Sequence, residues 1–392
     1  MTQIKLSHIS TGFLAVFVGY ASAAAIIYQA ASSAGATQTE IGSWFWALGI
    51  GMGLSTIVMS YKSKMPIVTA WSTPGAALLI TSLDGLTMAQ AVGVFLFSSS
   101  LITLVGVFGL FDKLLERIPL SIASAMLAGI LIQFGLGVFS ELMQETLLIA
   151  VMLGMFILTK AWFKNLLIPA IFIVVTVACM GMGKLDVTGI EFTFTTPVLM
   201  TPELDIASMI SVGIPLFIVT MASQNLPGFA VLKANGYHTR SSGIITTTGL
   251  TGVLLAPFGG FSFNLAAITG AICMGPNADE DPSKRYVAAI SMGCFYLLAG
   301  VFGLSFVQLF TAIPQSVVIA IAGLAVMAPL ANSLTVAMSD DNNREAALMT
   351  FLFTASGINM LGVSSAFWGV SLGLFCVWFN GLKQKQAKLT SA

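Results

Sequence analysis

Polar residues interrupt the apolar sequence at corresponding places in the two halves of the chain. One interruption is Ala-Trp-Ser-Thr-Pro-Gly-Ala-Ala at 70–77, and the other is Gly-Phe-Ser-Phe-Asn-Leu-Ala-Ala at 260–267. A Thr-Pro-Gly or Ser-Phe-Asn step inside lipid leaves backbone groups unpaired, which is tolerated only where protein buries them or where they line a solvated cavity. Matched breaks in two halves of a chain point to a binding site near the membrane midplane.

After each break we expect a short extended piece and then a half-helix. Ser72, Thr73 or Asn264 would cap these half-helices, with Pro74 in the first turn. A helix N-terminus carries partial positive charge and free N–H groups, so it accepts an anion without a cationic side chain. Two such N-termini facing each other predict a carboxylate site. The structural alternative is a helix kinked at Pro74, with Asn264 satisfying the kink in the other half.

A third polar cluster, Ser-Gln-Asn-Leu-Pro-Gly at 223–228, lies inside another apolar stretch. Such side chains are costly in lipid unless they face a cavity or another helix. Gln224 and Asn225 are adjacent and point about 100° apart on a helix, so we expect only one to face a ligand. The Pro-Gly step just beyond favours Gln224. The matching stretch in the first half contains Tyr20 and Ser22, for which interhelical hydrogen bonding is the alternative.

Composition identifies the class of protein. Of the 392 residues, 57% are hydrophobic and 8% are charged, against about 25% charged in soluble domains. The chain is therefore an integral membrane protein. The net charge is zero and no basic stripe indicates nucleic acid. The four cysteines stand singly without metal-binding spacing, so we expect no metal and no cofactor. His8 and His238 lie near segment ends, so no histidine switch is expected at mid-membrane.

A membrane-spanning helix needs roughly 20 apolar residues, and this length divides the chain into about fourteen segments. The connection from Lys184 to Asp205 separates seven from seven, which predicts an all-α polytopic protein with an inverted repeat. Small residues of the first segment (Gly12, Ala21, Ser22 and Gly35) recur at a constant offset in the eighth. The segments are 10–33, 41–61, 66–82, 87–111, 118–138, 142–159, 164–183, 207–232, 241–257, 259–274, 285–311, 314–336, 345–361 and 364–380, with the third and tenth broken.

Charge placement supports this count. If the N-terminus is cytoplasmic and every segment crosses, the inside loops hold every Lys and Arg of the chain except Lys184. This asymmetry follows the positive-inside rule. It predicts a multi-pass membrane protein with both termini in the cytoplasm.

The chain lacks the residues that several other functions require. No Asp, Glu, Lys or Arg falls in the middle of a predicted segment, which argues against a cation channel or a proton relay through buried acids. No Walker loop, kinase glycine loop or HExxH motif is present, so we expect neither ATP-driven transport nor an enzyme.

These motifs resemble those of the benzoate:proton symporter (BenE) family over essentially the whole chain. The most specific blocks are TAWSTPGAAL at 69–78 and VTMASQN at 219–225. The others are GYAS at 19–22, QAA at 29–31, AMLAGIL at 125–131, ASG at 355–357 and SAFWG at 365–369. More distantly, the layout is similar to that of nucleobase:cation symporters and sulfate/bicarbonate carriers.

That resemblance implies a seven-plus-seven inverted repeat in which a core moves as an elevator against a gate. The expected divisions are 1–117 (core, first repeat), 118–205 (gate, first repeat), 206–312 (core, second repeat) and 313–392 (gate, second repeat and tail). Nucleobase carriers of similar fold place carboxylates in segments eight and ten, whereas this chain has Gln224 or Asn225 and Asn264 there. This departure suits an anionic aromatic substrate, which a fixed carboxylate would repel.

The resemblance thus implies proton-coupled uptake of benzoate or a related aromatic carboxylate. The alternatives are a nucleobase or other small-anion carrier on the same fold and, from another class, an uncoupled anion channel or a motor-like membrane protein. The expected partners are the carboxylate, the proton and the lipid bilayer, and a homodimer is left open. The candidate substrate-binding residues are Tyr20, Ser22, Ser72, Thr73, Pro74, Gly75, Gln224, Asn225, Phe263, Asn264 and Leu265. Trp71 is a weaker candidate that we expect to pack behind the strand.

Overall fold

A computed structural model describes residues 4–111, 119–162, 167–185, 193–358, 360 and 364–390. Lys113, Arg117 and Lys164, which entered the charge count, lie outside these residues, as does the part of the long connection at 186–192. The first-half elements are α1 (Leu6–Ser33), α2 (Gln38–Ser63), β1 (Thr69–Trp71), α3 (Thr73–Ser82), α4 (Met88–Val107), α5 (Leu120–Ser140), α6 (Thr146–Trp162) and α7 (Leu167–Gly181).

The second half begins with a long composite helix, α8 (Ile206–Ala234), which contains π-helical turns at Met209–Gly213 and Met221–Asn225. The later elements are α9 (Ser241–Leu255), β2 (Phe263–Leu265), α10 (Ile268–Met274), α11 (Tyr286–Val301), α12 (Gly303–Thr311), α13 (Gln315–Met338), α14 (Arg344–Ala355) and α15 (Ser365–Thr390).

Six helices in the described part of the chain are long and apolar enough to cross a membrane, and a seventh is reached if the bent α1 counts as one span. They are α2, α4, the helix Leu120–Met143 that extends α5, α8, the helix Ser241–Phe258 that extends α9, and α13. The other predicted segments appear as shorter helices or as a strand followed by a short helix. The chain is therefore an all-α membrane protein apart from its two strands.

The helices pack in two groups. In the first, α2 packs on α11, α4 on α9, and α1 on both α3 and α11. In the second, α5 packs on α13 and α14, and α14 on α15. The groups meet where α5 contacts both α3 and the π-turn of α8, and where α1 contacts α13. The division of the chain into a core and a gate stays a prediction.

The predicted extended pieces in both breaks are present, and they pair with each other. β1 and β2 form a two-stranded antiparallel sheet in which Thr69 faces Leu265, Ala70 faces Asn264 and Trp71 faces Phe263. Thr69, Trp71 and Phe263 are of the β-branched and aromatic types that favour strands. The chain turns into β2 after Gly259, whose φ of +94° is left-handed. Trp44 occupies the space that a Cβ would need there.

The structure divides one of the expected segments. The predicted run 285–311 is broken at Phe302 into α11 and α12. The end of the long connection is bound to helix ends, because Thr195 N–H donates to Val301 O at 2.8 Å and Met200 N–H donates to Pro257 O at 2.7 Å. This part of the connection lies across the ends of first-group helices.

His8 lies near the start of α1, as predicted. Its side chain is more buried than this position suggested. His8 is 0% exposed, and its Nε2 lies 2.9 Å from Oδ2 of Asp279 in the loop after α10. Lys5 Nζ lies 2.8 Å from the same oxygen. Lys5, the Asp281 N–H and His8 together hold the pKa of the Asp279 carboxyl below its usual range. This cluster ties the start of α1 to the loop that follows α10.

The contact between α8 and β2 leads to a prediction about stability. A Cβ added to Gly228 would lie 2.8 Å from both Cγ and the carbonyl oxygen of Leu265. We expect Gly228→Ala to push α8 away from β2 and to cost about 1–3 kcal/mol, as overpacking does. The measurement is thermal unfolding of the purified protein in detergent.

Gly154→Ala is the matched control, because no atom lies within 4 Å of a Cβ at Gly154 in α6. Alanine in place of a helical glycine with free space around it is neutral or stabilising by up to about 1 kcal/mol. Equal unfolding temperatures for the two variants would contradict the close approach of α8 to β2.

Candidate functional site

The outer edges of the paired strands carry backbone N–H and C=O groups that would be costly to leave unpaired in a membrane. On the β1 side, Thr69 N–H donates to Thr56 Oγ1 at 2.9 Å, and Trp71 N–H donates to Met52 Sδ at 3.1 Å, so α2 covers that edge. Beyond the paired residues, Ala266 N–H donates to Val68 O at 2.9 Å. The strand pair is therefore held in place by the helices around it.

Ser72 lies at the centre of a hydroxyl cluster next to the strands. Its Oγ accepts the Gly75 N–H at 3.1 Å and so caps α3, as the sequence predicted, with Pro74 in the first turn. Thr220 of α8 donates to the same oxygen at 3.1 Å and lies 2.9 Å from Ser262 Oγ. Because Thr220 has one hydroxyl proton, Ser262 is the donor in that second bond. The cluster joins α3, α8 and the chain before β2.

Thr220 and Ser262 are not among the candidate residues predicted from the sequence, although both lie inside the polar motifs described above. Ser262 is the first polar residue of the second break, and Thr220 is one helical turn before Gln224. Their role depends on contacts across 42 and 148 residues of sequence. Only their polarity within an apolar stretch could have identified them.

The two adjacent amides of α8 have different surroundings, and that Gln224 is the one facing a ligand stays a prediction. Asn225 is 0% exposed, and its Oδ1 accepts the Leu265 N–H at 2.9 Å, while its Nδ2 contacts Met221 Sδ. It therefore covers the outer edge of β2. Gln224 is half-buried beside it. The π-turn at Met221–Asn225 sets this arrangement, and single π-turns inside helices are frequent at functional sites.

The prediction that Asn264 caps the second half-helix is wrong. Asn264 lies within β2, and α10 begins four residues later, at Ile268, with Ala267 in the capping position and no side-chain cap. The N–H groups expected to hold a carboxylate at Leu265 and Ala266 already donate to Asn225 and Val68. A seven-residue helix starting beyond them offers no comparable anion site.

The side-chain oxygen of Asn264 is nevertheless a candidate for binding a ligand. The side chain is 0% exposed, and its Nδ2 donates to Leu265 O at 3.1 Å. Its Oδ1 has no hydrogen-bond partner among the described residues. A buried acceptor without a partner costs about 1–3 kcal/mol, so such an atom is a candidate for contact with a ligand that can donate a hydrogen bond.

The aromatic and apolar candidates are buried around the strand pair. Tyr20 is 4% exposed and packs edge-on against Trp71, with ring centroids 4.6 Å apart. Phe263 is 1% exposed and fills the space above Gly51, where a Cβ would lie 2.4 Å from its ring. Leu265 is buried against α8. Ser22 lies in α1, but its side chain is outside the described residues.

Two of the polar candidate residues are partly exposed. Thr73 and Gln224 are half-buried, whereas Ser72, Asn225 and Asn264 are fully buried. Pro74 has no N–H and the Gly75 N–H is bound to Ser72, which leaves Thr73 to offer both an N–H and a hydroxyl at the start of α3. Helix α5 packs against both α3 and the π-turn. The candidate site therefore lies between the start of α3, the π-turn and α5.

The Ser72 cluster generates a prediction. Ser72→Ala removes the cap of α3 and leaves the Thr220 hydroxyl without its acceptor, so we expect a loss of about 1–2 kcal/mol of stability. Thr81→Ala is the control, since it removes from the same helix a half-exposed hydroxyl that donates only to Leu78 O. Thermal unfolding in detergent should separate the two variants, and indistinguishable melting would contradict the cluster.

Comparisons with known proteins now add to this geometry. The profile of the benzoate membrane transport protein family (BenE) matches residues 2–379. The chain is 46% identical over 365 residues to inner membrane protein YdcO of Escherichia coli, with 93% of each chain covered. It is 39% identical over 381 residues to the benzoate membrane transport protein of Acinetobacter baylyi, with 97% of this chain and 96% of the relative covered.

Solved structures share the fold. The transmembrane domain of the cyanobacterial bicarbonate transporter BicA superposes with a TM-score of 0.62 at 15% identity, covering 96% of this chain and 98% of that one. Murine Slc26a9, an anion transporter in the inward-facing state, gives 0.63 at 13% identity, covering 98% of this chain and 70% of that one. The fold is thus that of these anion transporters, and the chain belongs to the benzoate membrane transport protein family, a family of membrane transporters rather than enzymes.

Proposed function

We propose that the protein takes up benzoate or a related aromatic carboxylate together with a proton across a bacterial inner membrane. The names of the relatives support the substrate class and the membrane. The main support for the proposal is the set of polar groups at the candidate site that can contact a ligand. They are the Thr73 hydroxyl and N–H, the Gln224 amide, and the unpartnered Asn264 Oδ1.

These groups suit a carboxyl group that carries a proton. Thr73 and Gln224 can donate hydrogen bonds to its oxygens, whereas Asn264 Oδ1 can only accept one. A carboxylate alone offers no hydrogen to Asn264, but a protonated carboxyl group does. No ionisable side chain occurs within β1, α3, the π-turn or β2, so the proton is carried by the substrate rather than by a protein acid.

The aromatic ring fits the apolar walls. Tyr20 packs against Trp71 of β1, Phe263 of β2 is buried, and α5, which contacts α3 and the π-turn, supplies apolar side chains from the second helix group. Ser22, Ser72, Pro74, Gly75, Asn225 and Leu265 then act mainly by shaping this wall and its backbone. The proposed Ser22 contribution rests on its place in α1 alone.

For the transport cycle we propose an elevator. Residues 1–117 and 206–312 form the core, and residues 118–205 and 313–392 form the gate, in fourteen segments related by a seven-plus-seven inverted repeat. The antiparallel pairing of β1 with β2 supports this symmetry, because a two-fold axis in the membrane plane relates strands in that way. The cationic loops support cytoplasmic placement of both termini.

Proteoliposome uptake tests the function. With an inward proton gradient, labelled benzoate should enter faster than into protein-free liposomes, which report passive permeation of the acid. Because one proton accompanies each anion, an imposed potassium-diffusion potential should leave the initial rate unchanged. A rate that follows the potential but not the pH gradient would indicate an anion channel instead. Uptake equal to that of protein-free liposomes would contradict the proposed function.

The division between Gln224 and Asn225 gives a second test. We expect Gln224→Ala to weaken benzoate binding about tenfold, equivalent to ~1.4 kcal/mol and typical of one lost hydrogen bond, with little change in melting temperature. Asn225→Ala should instead lower the melting temperature, because it leaves the buried Leu265 N–H without an acceptor. Calorimetric binding and thermal unfolding of both variants check this, and the reverse pattern would place Asn225 rather than Gln224 against the substrate.

A further inference from the structure

An open cavity of about 570 Å³ lies between the end of α4, the end of α8 and the start of α9. None of the described residues that line it is a candidate substrate-binding residue, so it is distinct from the candidate site. The charge count predicts that these three helix ends lie at the cytoplasmic surface. The volume of the cavity is within the range of small-molecule sites.

The described residues that line this cavity include basic side chains but no acidic one. Lys233 lies in the last turn of α8, and Arg240 directly precedes α9. His238 lies between them in the connecting loop. Residues 112–118, which fall outside the described part of the chain, contain two acids and two bases and so add no net charge. The cavity is therefore suited to an anion.

The lysine and the arginine of this cavity lack the partners that other bases on the same predicted surface have. Lys5 pairs with Asp279 at 2.8 Å, and Lys284 pairs with Asp281 at 3.1 Å. Within the described ranges, the two cations of the cavity form no ion pair and no side-chain hydrogen bond. An anionic group that enters the cavity therefore displaces no described ion pair.

The other lining of the cavity is apolar and continues onto a lipid-facing surface. Phe111 is 2% exposed, and its ring centroid lies 5.3 Å from that of Phe229 in α8. Gly109 of the same wall directly follows Phe108, which is 68% exposed, and Val107 in the last turn of α4 is 58% exposed. In a membrane protein such exposed apolar side chains contact acyl chains. The cavity thus combines two unpaired cations with an apolar floor at the edge of the bilayer.

We propose that this cavity binds one anionic phospholipid of the cytoplasmic leaflet. The lipid phosphate contacts Lys233, Arg240 and the first-turn N–H groups of α9, which have no side-chain cap. The acyl chains cover Val107 and Phe108. Basic pockets between transmembrane helices on the cytoplasmic side bind such head groups. A free phosphate or benzoate would meet the same cations, but neither carries acyl chains to cover the exposed surface of α4.

Native mass spectrometry of the purified protein in detergent tests this site. Phosphatidylglycerol should bind as one saturable molecule, about tenfold tighter than phosphatidylethanolamine with the same acyl chains, because two basic side chains attract its net charge. The double variant Lys233→Gln/Arg240→Gln should bind the two lipids with affinities within about twofold of each other. Lys62→Gln/Lys284→Gln is the matched control, since it removes the same charge at residues that do not line the cavity, and it should keep the preference.

Each other outcome overturns the lipid site. Equal binding of the two lipids by the wild type, or loss of the preference in both double variants, would leave only general attraction between charges. Displacement of phosphatidylglycerol by millimolar inorganic phosphate would indicate a free-phosphate site, and displacement by benzoate would indicate a carboxylate site. Equal melting temperatures of the variants without added lipid show that the fold is intact. These measurements need no transport, so their failure is distinguishable from failure of the proposed function.

Discussion

The structure depends on one constraint: two extended segments inside a membrane protein must find hydrogen-bond partners for every backbone group. β1 and β2 partly satisfy each other, and their outer edges are satisfied by Thr56 and Met52 from α2 and by Asn225 from α8. This requirement fixes α2 and α8 on either side of the strands. It also explains the close approach at Gly228 and Gly51, where a side chain would push a helix away.

The same constraint limits the chemistry of the site. Backbone N–H groups at Leu265 and Ala266 are used to hold the strands, so they cannot also bind an anion. Ser72 and Thr220 are likewise committed to each other. What remains is a small set of donors and one buried acceptor, Asn264 Oδ1. An arrangement of this kind matches a carboxyl group that retains its proton better than a bare anion, which is the physical basis of the proposed coupling.

Much of this arrangement could be predicted from sequence because the relevant signals are local. The two polar breaks, the Ser72 cap and the different surroundings of Gln224 and Asn225 follow from capping preference and helix geometry. The position of Asn264 could not be predicted, because a strand of three residues has no periodicity and its pairing joins segments about 190 residues apart. The π-turn of α8 and the break at Phe302 are also set by packing partners that the local sequence does not reveal.

The central claim is that an aromatic carboxylate binds between the start of α3, the π-turn of α8 and α5. A crystal structure with 4-bromobenzoate would test it most directly, because anomalous scattering locates bromine without reference to the protein density. The account predicts a bromine peak against the apolar side chains of α5, with the carboxyl group within hydrogen-bond distance of Thr73, Gln224 and Asn264 Oδ1. A single peak elsewhere, such as beside Lys233 at the end of α8 and Arg240 before α9, would contradict it.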